Sequence, residues 1–173
     1  MKIIYIRHGE DQKSKHVHDE KLTKEAKYEI EELTEKLIRE HGVPDIIYYS
    51  PFHRTRYTAK YMIKKIVKMK ERGQIENKKV RFQSEPQLGR FFTRKQKDNP
   101  QVRDSTMKKG IIVEERWSDF KDRIELQMNT ILDRGEEIVW NVSHSLVLLQ
   151  VAKLNRIGRD KRVEYLDFVV LDK

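Results

Sequence analysis

The segment that most constrains the fold of this chain is an unbroken apolar run close to its beginning, Ile3-Ile4-Tyr5-Ile6. Consecutive β-branched and aromatic residues are typical of a strand that is buried on both faces, as in parallel sheets. The run ends at once in Arg7, His8 and Gly9, and glycine permits a sharp turn there. An ordinary polar turn would contain the same residue types. In open α/β sheets, however, ligands bind just outside the carboxyl ends of the strands, so the junction is a candidate site.

Two later segments repeat this order of a strand-like run, a basic or imidazole side chain and a helical pattern. Residues 46–49 are followed within five residues by Arg54, and residues 138–142 are followed by Ser143 and His144. If the three strands share one parallel sheet, their carboxyl ends meet at one edge, where helix N-termini add N–H donors and partial positive charge. The side chains expected to meet there suit a phosphate group: Arg7, His8, Arg54 and His144.

The residue types in this expected cluster match the needs of phosphoryl transfer. That reaction requires neutralisation of the charge on the phosphoryl oxygens and an in-line nucleophile. Arginine offers paired donors that match phosphate oxygens, and an unprotonated imidazole is a competent nucleophile. The sequence therefore predicts a pocket that binds a phosphoryl group and has the means to accept it.

Four motifs in this chain resemble, in order and spacing, those of the histidine phosphatase superfamily, also called phosphoglycerate mutase-like. They are R-H-G at 7–9, L-T at 22–23, S-P-F-x-R-x-x-x-T-A at 50–59 and S-H at 143–144, and the resemblance spans residues 1 to about 155. Ala26 and Ser145 stand where the family usually has glycine. The resemblance implies an α/β fold in three layers, with a mostly parallel central sheet and helices on both faces.

The resemblance also implies a role for each residue of the cluster. His8 would be the nucleophile that becomes phosphorylated, Arg7 and Arg54 would hold the phosphoryl group, and His144 would donate a further hydrogen bond. Gly9 and Ser145 are the candidate substrate-binding residues beside them. Water would then hydrolyse the phosphohistidine, and neither a metal ion nor a cofactor is implied.

The proton donor for the leaving group is missing from its usual place in the family. Many members carry a glutamate two residues after a leucine that follows the third strand, but here Leu88 is followed by Gly89 and Arg90. Glu85 is the nearest substitute, and Asp98 and Asp104 are further candidates. A good leaving group, such as imidazole, needs less help from an acid. Small phosphohistidine phosphatases of the family also lack that glutamate.

The length of 173 residues suits one domain, which we expect to span residues 1–173. Although 38% of the residues are charged, the apolar residues are concentrated in periodic blocks, which indicates a globular chain. The sequence contains no cysteine, which excludes disulfides and thiolate metal sites and fits a cytoplasmic protein. Neither a signal peptide nor a transmembrane segment is recognisable, so we expect no membrane partner.

The net charge of +9 is concentrated in two stretches, residues 88–110 and residues 151–163. A basic field favours anionic partners, here a phosphorylated small molecule or a phosphoprotein. Nucleic acid is the less favoured partner, because basic residues are not interleaved with stacking aromatics apart from Phe91 and Phe92.

The least regular region, residues 84–114, is basic and contains Pro86, Gly89, Pro100 and Gly110. Long loops in compact domains are usually functional, so we interpret this region as a lid-like insertion over the site. A solvated surface loop held by its two phenylalanines is the alternative.

Periodicity predicts the remaining elements. A helix follows Thr23 and ends at Gly42, a second follows Pro51 with Tyr57 facing inward, and a third begins at Trp117, which we assign to the core. A final strand is predicted over residues 165–171. His16 and His18 fall in a polar loop, 10–21, and are interpreted as solvated histidines, because no second cluster has the spacing of metal ligands.

Two functions of different class follow from these observations. The first is a metal-independent phosphatase that acts on phosphomonoesters or phosphohistidine through an intermediate at His8. The second is a catalytically weak module of the same fold that binds phosphorylated ligands or nucleic acid, as the missing acid, Ser145 and the basic stretches suggest. We favour the enzyme, because all four phosphate-handling residues are present; a histidine-based metallohydrolase is a distant third.

Overall fold

The sheet is organised around β1 (Lys2–Arg7), in which the four residues from Ile3 to Ile6 are completely buried. The computed structural model describes residues 1–12, 21–89, 116–158 and 163–173. Within these ranges the other strands are β2 (Ile46–Tyr49), β3 (Arg81–Ser84), β4 (Ile138–Ser143) and β5 (Phe168–Asp172). Their order is β3-β2-β4-β1-β5, and each neighbouring pair is parallel except β1 and β5.

Helices of the described residues cover both faces of the sheet: α1 (Lys24–His41), α2 (His53–Glu71), α3 (Trp117–Leu132) and α4 (Ser145–Leu154). Because side chains alternate along a strand, β1 contributes to two cores. Ile4 and Ile6 pack with residues of α1 and α2, whereas Ile3 and Tyr5 pack with residues of α3 and α4. The predicted three-layer, mostly parallel α/β architecture is confirmed.

The first crossover illustrates how local sequence sets the ends of a helix. The Thr23 hydroxyl accepts a hydrogen bond from the Ala26 N–H (3.1 Å) and caps the start of α1, as predicted. Gly42 follows the last residue of α1 at φ +90° and ψ 174°, a conformation almost restricted to glycine. The Gly42 N–H donates to the Ile38 carbonyl oxygen at 2.8 Å and so completes the last turn of α1. After Gly42 the chain leaves the helix and leads to β2.

The three strands that end in polar residues are neighbours, in the order β2-β4-β1. The register pairs Arg7 with Ser143, and the His8 N–H donates to the Ser143 carbonyl oxygen at 3.0 Å. On the other side of β4, the Ser50 N–H donates to the Val142 carbonyl oxygen at 3.0 Å. The carboxyl ends of β1, β2 and β4 therefore meet at one edge of the sheet, as the sequence predicts.

Three assignments made from periodicity are wrong in detail. Tyr57 is 37% exposed and stacks on His53, and Trp117 is 43% exposed at the start of α3. Periodicity identifies the buried face of a helix but not how far that face extends, so residues at its border are misassigned. The last strand begins at Phe168 rather than at residue 165, because Leu166 occupies a turn with φ +60°.

Several predictions fall on residues 13–20, 90–115 and 159–162, which lie outside the described residues. They include His16 and His18, most of the predicted lid and most of the basic residues in the two charged stretches. The lid therefore remains a prediction from residue 90 onward. Among the described helices, none combines the length and the apolar character needed to cross a membrane.

Replacing Gly42 with alanine tests the turn that ends α1. The new methyl group would lie 2.9 Å from Ile138 Cδ1 in a backbone conformation that alanine avoids, so we expect a loss of about 2 kcal/mol of unfolding free energy. Gly73→Ala is the matched control. Gly73 has φ +66° and nothing within 4 Å of the added atom, so only the conformational cost of about 1 kcal/mol applies. If urea unfolding shows that the two variants lose the same free energy of unfolding, the close contact between residue 42 and Ile138 has no effect on stability.

Candidate active site

His8 lies at the end of β1 with only 5% of its surface exposed. Its Nδ1 is 2.8 Å from the Gly9 carbonyl oxygen, and its Nε2 is 3.1 Å from Arg54 Nε. Because an arginine side chain only donates hydrogen bonds, Nε2 must carry the lone pair and the proton must be on Nδ1, which donates to Gly9. The site therefore holds a neutral imidazole in one tautomer, with Nε2 as the basic nitrogen.

Gly9 contributes through its backbone. Its carbonyl oxygen accepts the proton of His8 Nδ1, and its N–H donates to Thr58 Oγ1 at 3.0 Å. A side chain at this position would meet α1, since an added Cβ would lie 3.0 Å from Ile30 Cδ1 and 3.3 Å from Ala26 Cβ. Glycine thus lets α1 pack closely beside the site. The predicted binding of substrate by Gly9 stays a prediction, and its N–H is already hydrogen-bonded to Thr58.

Arg54 lies in the first turn of α2 and is only 3% exposed. Its Nε donates to His8, and its Nη2 lies 3.5 Å from His144 Nδ1. Its guanidinium group lies 5.0 Å from the centre of the Phe52 ring. The first turn of α2 contains no acidic residue, and no side chain caps it. A cation at the positive end of a helix is unfavourable, so this arrangement indicates a place that is suited to an anion.

His144 is the residue before α4 and is 4% exposed. Its Nε2 lies 3.0 Å from Ser50 Oγ, and its ring meets the His8 ring edge to face, with 5.4 Å between centroids. Because Arg54 donates toward Nδ1, the Nε2 proton is directed to the serine oxygen. Ser145 is the first residue of α4, a helix without a side-chain cap or an acidic residue in its first turn.

Arg7 is the last residue of β1, and its guanidinium lies over the Tyr165 ring, 4.0 Å from the ring centre. Its Nη1 donates to the Val163 carbonyl oxygen. Arg7 Nε is buried and has no hydrogen-bond partner among the described residues. A buried donor without a partner is costly, so the site leaves one N–H of Arg7 available to an incoming acceptor.

Sequence reasoning missed two residues of the site, Asp11 and Tyr165. The Tyr165 hydroxyl donates to Asp11 Oδ1 at 2.9 Å, and Asp11 Oδ2 lies 3.8 Å from Arg54 Nε. The Tyr165 ring also lies 5.7 Å from the His8 ring. Asp11 comes only two residues after the R-H-G motif, and this proximity was the available signal. Tyr165 joins the site through a turn, which periodicity does not reveal.

Burial is the main reason that the pKa of His8 is lowered from 6.5 to about 3. The positive charge of Arg54 lowers it further, whereas the hydrogen bond to Gly9 and the charge of Asp11 oppose the shift. Arg7 makes a smaller contribution in the same direction as Arg54. The imidazole is consequently neutral at physiological pH, as a nucleophile must be.

Glu85, the substitute acid suggested by the sequence, is part of a local helix cap. Its carboxylate accepts a hydrogen bond from the Gln87 N–H (3.2 Å) and so caps a short 3₁₀ helix, Pro86–Leu88. It follows β3, which is separated from β1 by β2 and β4, a lateral distance of roughly 14 Å at the usual strand spacing. In the described parts of the chain, no group of three or more potential metal ligands occurs.

Measuring the protonation of His8 tests this electrostatic description. We expect the ¹³Cε1 chemical shift of His8 to keep its neutral value from pH 8 to pH 5, because the folded pKa is about 3. In the unfolded chain, the His8 imidazole binds a proton with its ordinary pKa of 6.5. The unfolded state therefore binds more protons than the folded state as the pH falls from 6.5 toward 3, and His8 lowers the folding stability over this range. A titration midpoint between pH 6 and pH 7 would contradict the description.

Comparison with known proteins identifies the family and the fold of this chain. The sequence profile of the histidine phosphatase superfamily (branch 1) matches residues 3–156. No curated protein matches the chain. The fold is similar to alpha-ribazole phosphatase from Shigella flexneri, with 18% identity, a TM-score of 0.60, and 99% of this chain and 90% of that chain covered.

Two further solved structures show the same fold. Phosphoglycerate mutase from Bacillus anthracis has 17% identity and a TM-score of 0.63, with 99% of this chain and 88% of that chain covered. The protein histidine phosphatase SixA, complexed with tungstate, has 17% identity and a TM-score of 0.56, with 89% and 76% covered. At these identities the likeness establishes the fold alone. The profile match extends over most of the sequence, and the chain therefore belongs to the histidine phosphatase superfamily, branch 1.

Proposed function

We propose that this protein is a metal-independent phosphatase that hydrolyses phosphomonoesters or phosphohistidine through a phosphohistidine intermediate at His8. The observation that carries the proposal is the fixed tautomer of His8. Nδ1 donates to the Gly9 carbonyl oxygen at 2.8 Å, so the lone pair is on Nε2, which faces Arg54. An imidazole held in this way is oriented and neutral before the substrate arrives, and this reduces the reorganisation needed for attack.

Arg54 and Arg7 would hold the phosphoryl group. Arg54 is buried beside Nε2 and would exchange its contacts with the two imidazoles for charge-assisted hydrogen bonds to phosphoryl oxygens. Arg7 would supply its Nε, which is buried and has no hydrogen-bond partner within the described ranges of the chain. Two guanidinium groups neutralise the charge that a metal ion neutralises in other phosphoryl-transfer enzymes, so the proposal requires no metal.

His144 would donate a hydrogen bond to the phosphoryl group once Arg54 has moved toward it. A hydroxyl both donates and accepts, so Ser50 can reverse its hydrogen bond and donate to His144 Nε2, which is 3.0 Å away. The imidazole proton would then be on Nδ1, the nitrogen that is 3.5 Å from Arg54 in the free site. Ser50 thereby allows His144 to change tautomer without acquiring charge.

The reaction would occur in two steps. His8 Nε2 attacks phosphorus, the bond to the leaving group breaks, and water then attacks the phosphohistidine and releases inorganic phosphate. The similar fold of a protein histidine phosphatase and of alpha-ribazole phosphatase supports a phosphorylated protein or a phosphorylated small molecule as the substrate class.

Hydrolysis of p-nitrophenyl phosphate in the presence of EDTA tests the proposed activity. We expect turnover that resists EDTA and falls at least about 1,000-fold in His8→Ala, because the mutant lacks the nucleophile. His53→Ala is the matched control, since His53 stacks on Tyr57 and has no place in the proposed reaction. Retained turnover in His8→Ala would overturn the proposal. Anion binding without any turnover would favour the binding module instead.

Binding of orthovanadate tests the phosphoryl pocket separately from the chemistry. At a concentration of about 100 Kd, the anion should stabilise the wild type by about 2.7 kcal/mol, measured as a rise in Tm. Arg54→Met should abolish this stabilisation, because Arg54 is the buried cation beside His8. Arg56→Met is the control, since Arg56 lies on the same turn of α2 but is exposed. An equal rise in Tm for both variants would place the anion elsewhere.

A further inference from the structure

Hydrolysis of a phosphomonoester with a poor leaving group requires an acid, because such a group cannot readily depart as an anion. The position usual for the family's acid is Arg90 in this sequence, and Glu85 caps a 3₁₀ helix beyond β3. Among the described residues, however, Asp11 places a carboxyl group directly beside Arg54. Only 11% of the Asp11 side chain is exposed, so this carboxyl belongs to the site and not to the solvated surface.

The distances in the site put the Asp11 carboxyl group within reach of a leaving group bound beside His8. Asp11 Oδ2 is 3.8 Å from Arg54 Nε, which is 3.1 Å from His8 Nε2, so the carboxyl oxygen lies within about 7 Å of the nucleophile. In an in-line attack with a near-attack distance of about 3–3.5 Å, the leaving oxygen lies roughly 5 Å from the nitrogen. A hydrogen bond from Asp11 to that oxygen is therefore within reach.

The backbone on either side of Asp11 is held in place. Asp11 forms an antiparallel bridge with Leu22, and the Gln12 N–H donates to the Lys21 carbonyl oxygen at 2.8 Å. The Thr23 N–H donates to the Glu10 carbonyl oxygen at 2.9 Å, so the segment is attached to the start of α1. These contacts fix the position from which the carboxyl group enters the site.

Tyr165 orients the carboxyl group from the opposite side. Its hydroxyl donates to Asp11 Oδ1 at 2.9 Å, while its ring lies under the Arg7 guanidinium. Burial, followed by the hydrogen bond and the charge of Asp11, raises the pKa of Tyr165, so the phenol remains a donor. The turn that presents Tyr165 includes Leu166 at φ +60°, and backbone strain of this kind is common at functional sites.

We propose that Asp11 is the catalytic acid and base of this site, an assignment that rests on the proposed phosphatase function. In the first step, His8 Nε2 forms a bond to phosphorus, the P–O bond to the leaving group breaks, and the leaving oxygen takes the proton of the Asp11 carboxyl. In the second step, the Asp11 carboxylate takes a proton from water as its oxygen bonds to phosphorus. The N–P bond then breaks, its electron pair returns to Nε2, and Asp11 is protonated again.

The charges around Asp11 would govern its protonation during the proposed cycle. Arg54 faces Oδ2 and Tyr165 faces Oδ1, and the charge of Asp11 acts to raise the pKa of the neighbouring His8. In the free site, Arg54 favours the carboxylate. A bound phosphoryl group neutralises Arg54 and adds negative charge next to Asp11, and both changes favour uptake of a proton from solvent.

Two substrates that differ by one nitro group test this assignment, p-nitrophenyl phosphate and phenyl phosphate. The value of kcat/KM reports the step in which the leaving group departs, and phenolate is the poorer leaving group. Asp11→Asn should lower kcat/KM for phenyl phosphate at least about tenfold more than for p-nitrophenyl phosphate. Asp11→Ala should show the same excess loss. Glu10→Gln, the same chemical change one residue earlier, should leave the ratio of the two substrates unchanged.

Three results would overturn the assignment. If the Asp11 variants lose kcat/KM equally for both substrates, Asp11 is a structural residue. If they gain kcat/KM equally for both substrates, the Asp11 carboxylate competes with phosphate for Arg54. If His8→Ala hydrolyses these substrates at the wild-type rate, the proposed function is wrong, and so is the role of Asp11 that rests on it. The first two results leave the dependence on His8 intact, so the failure of this inference is distinguishable from the failure of the proposed function.

Discussion

The hydrogen bond from Arg54 Nε to His8 Nε2 is the interaction on which the rest of the site depends. It forms only because β1 and β2 lie on either side of β4, so that the carboxyl ends of the three strands meet. Through this contact the lone pair of His8 is directed at the most buried cation of the site. His144 and Asp11 are then arranged around the same guanidinium.

This arrangement places uncommon demands on the stability of the fold. A buried guanidinium at the positive end of a helix is unfavourable, and burial together with this charge lowers the pKa of His8 to about 3. Arg7 Nε remains buried without a partner among the described residues. Each of these features would become favourable on binding of the dianionic phosphoryl group that we propose as ligand, at the expense of stability in the empty site.

Much of the fold and the centre of the site could be predicted from the sequence, for physical reasons. The apolar run before Arg7 indicates a fully buried strand, and the same pattern recurs twice, so Arg54 and His144 were expected beside His8. Thr23 and Gly42 act locally, and their effects on α1 were correctly predicted. Trp117 and Tyr57 were misassigned, because burial at the border of a helix depends on neighbours that are distant in sequence.

The pairing of Asp11 with Tyr165 could not be predicted, since the two lie 154 positions apart in the sequence and only the sheet brings them together. The order of the strands places β5 next to β1, and the turn before β5 then directs Tyr165 toward Asp11. A polar residue in a loop has no periodicity, so the only local feature that distinguishes Asp11 is its position two residues after the R-H-G motif. The parts of a site that come from turns are accordingly those that sequence patterns reveal least.

The proposed role of His8 is tested most directly by identifying the nitrogen atom that becomes phosphorylated. The measurement is NMR identification of the phosphohistidine isomer in an enzyme quenched with alkali during turnover. Because His8 Nδ1 donates to Gly9 and Nε2 carries the lone pair, we expect phosphorus on Nε2 of His8. Phosphorus on Nδ1, phosphorylation of His144 instead, or turnover without any phosphohistidine would contradict it.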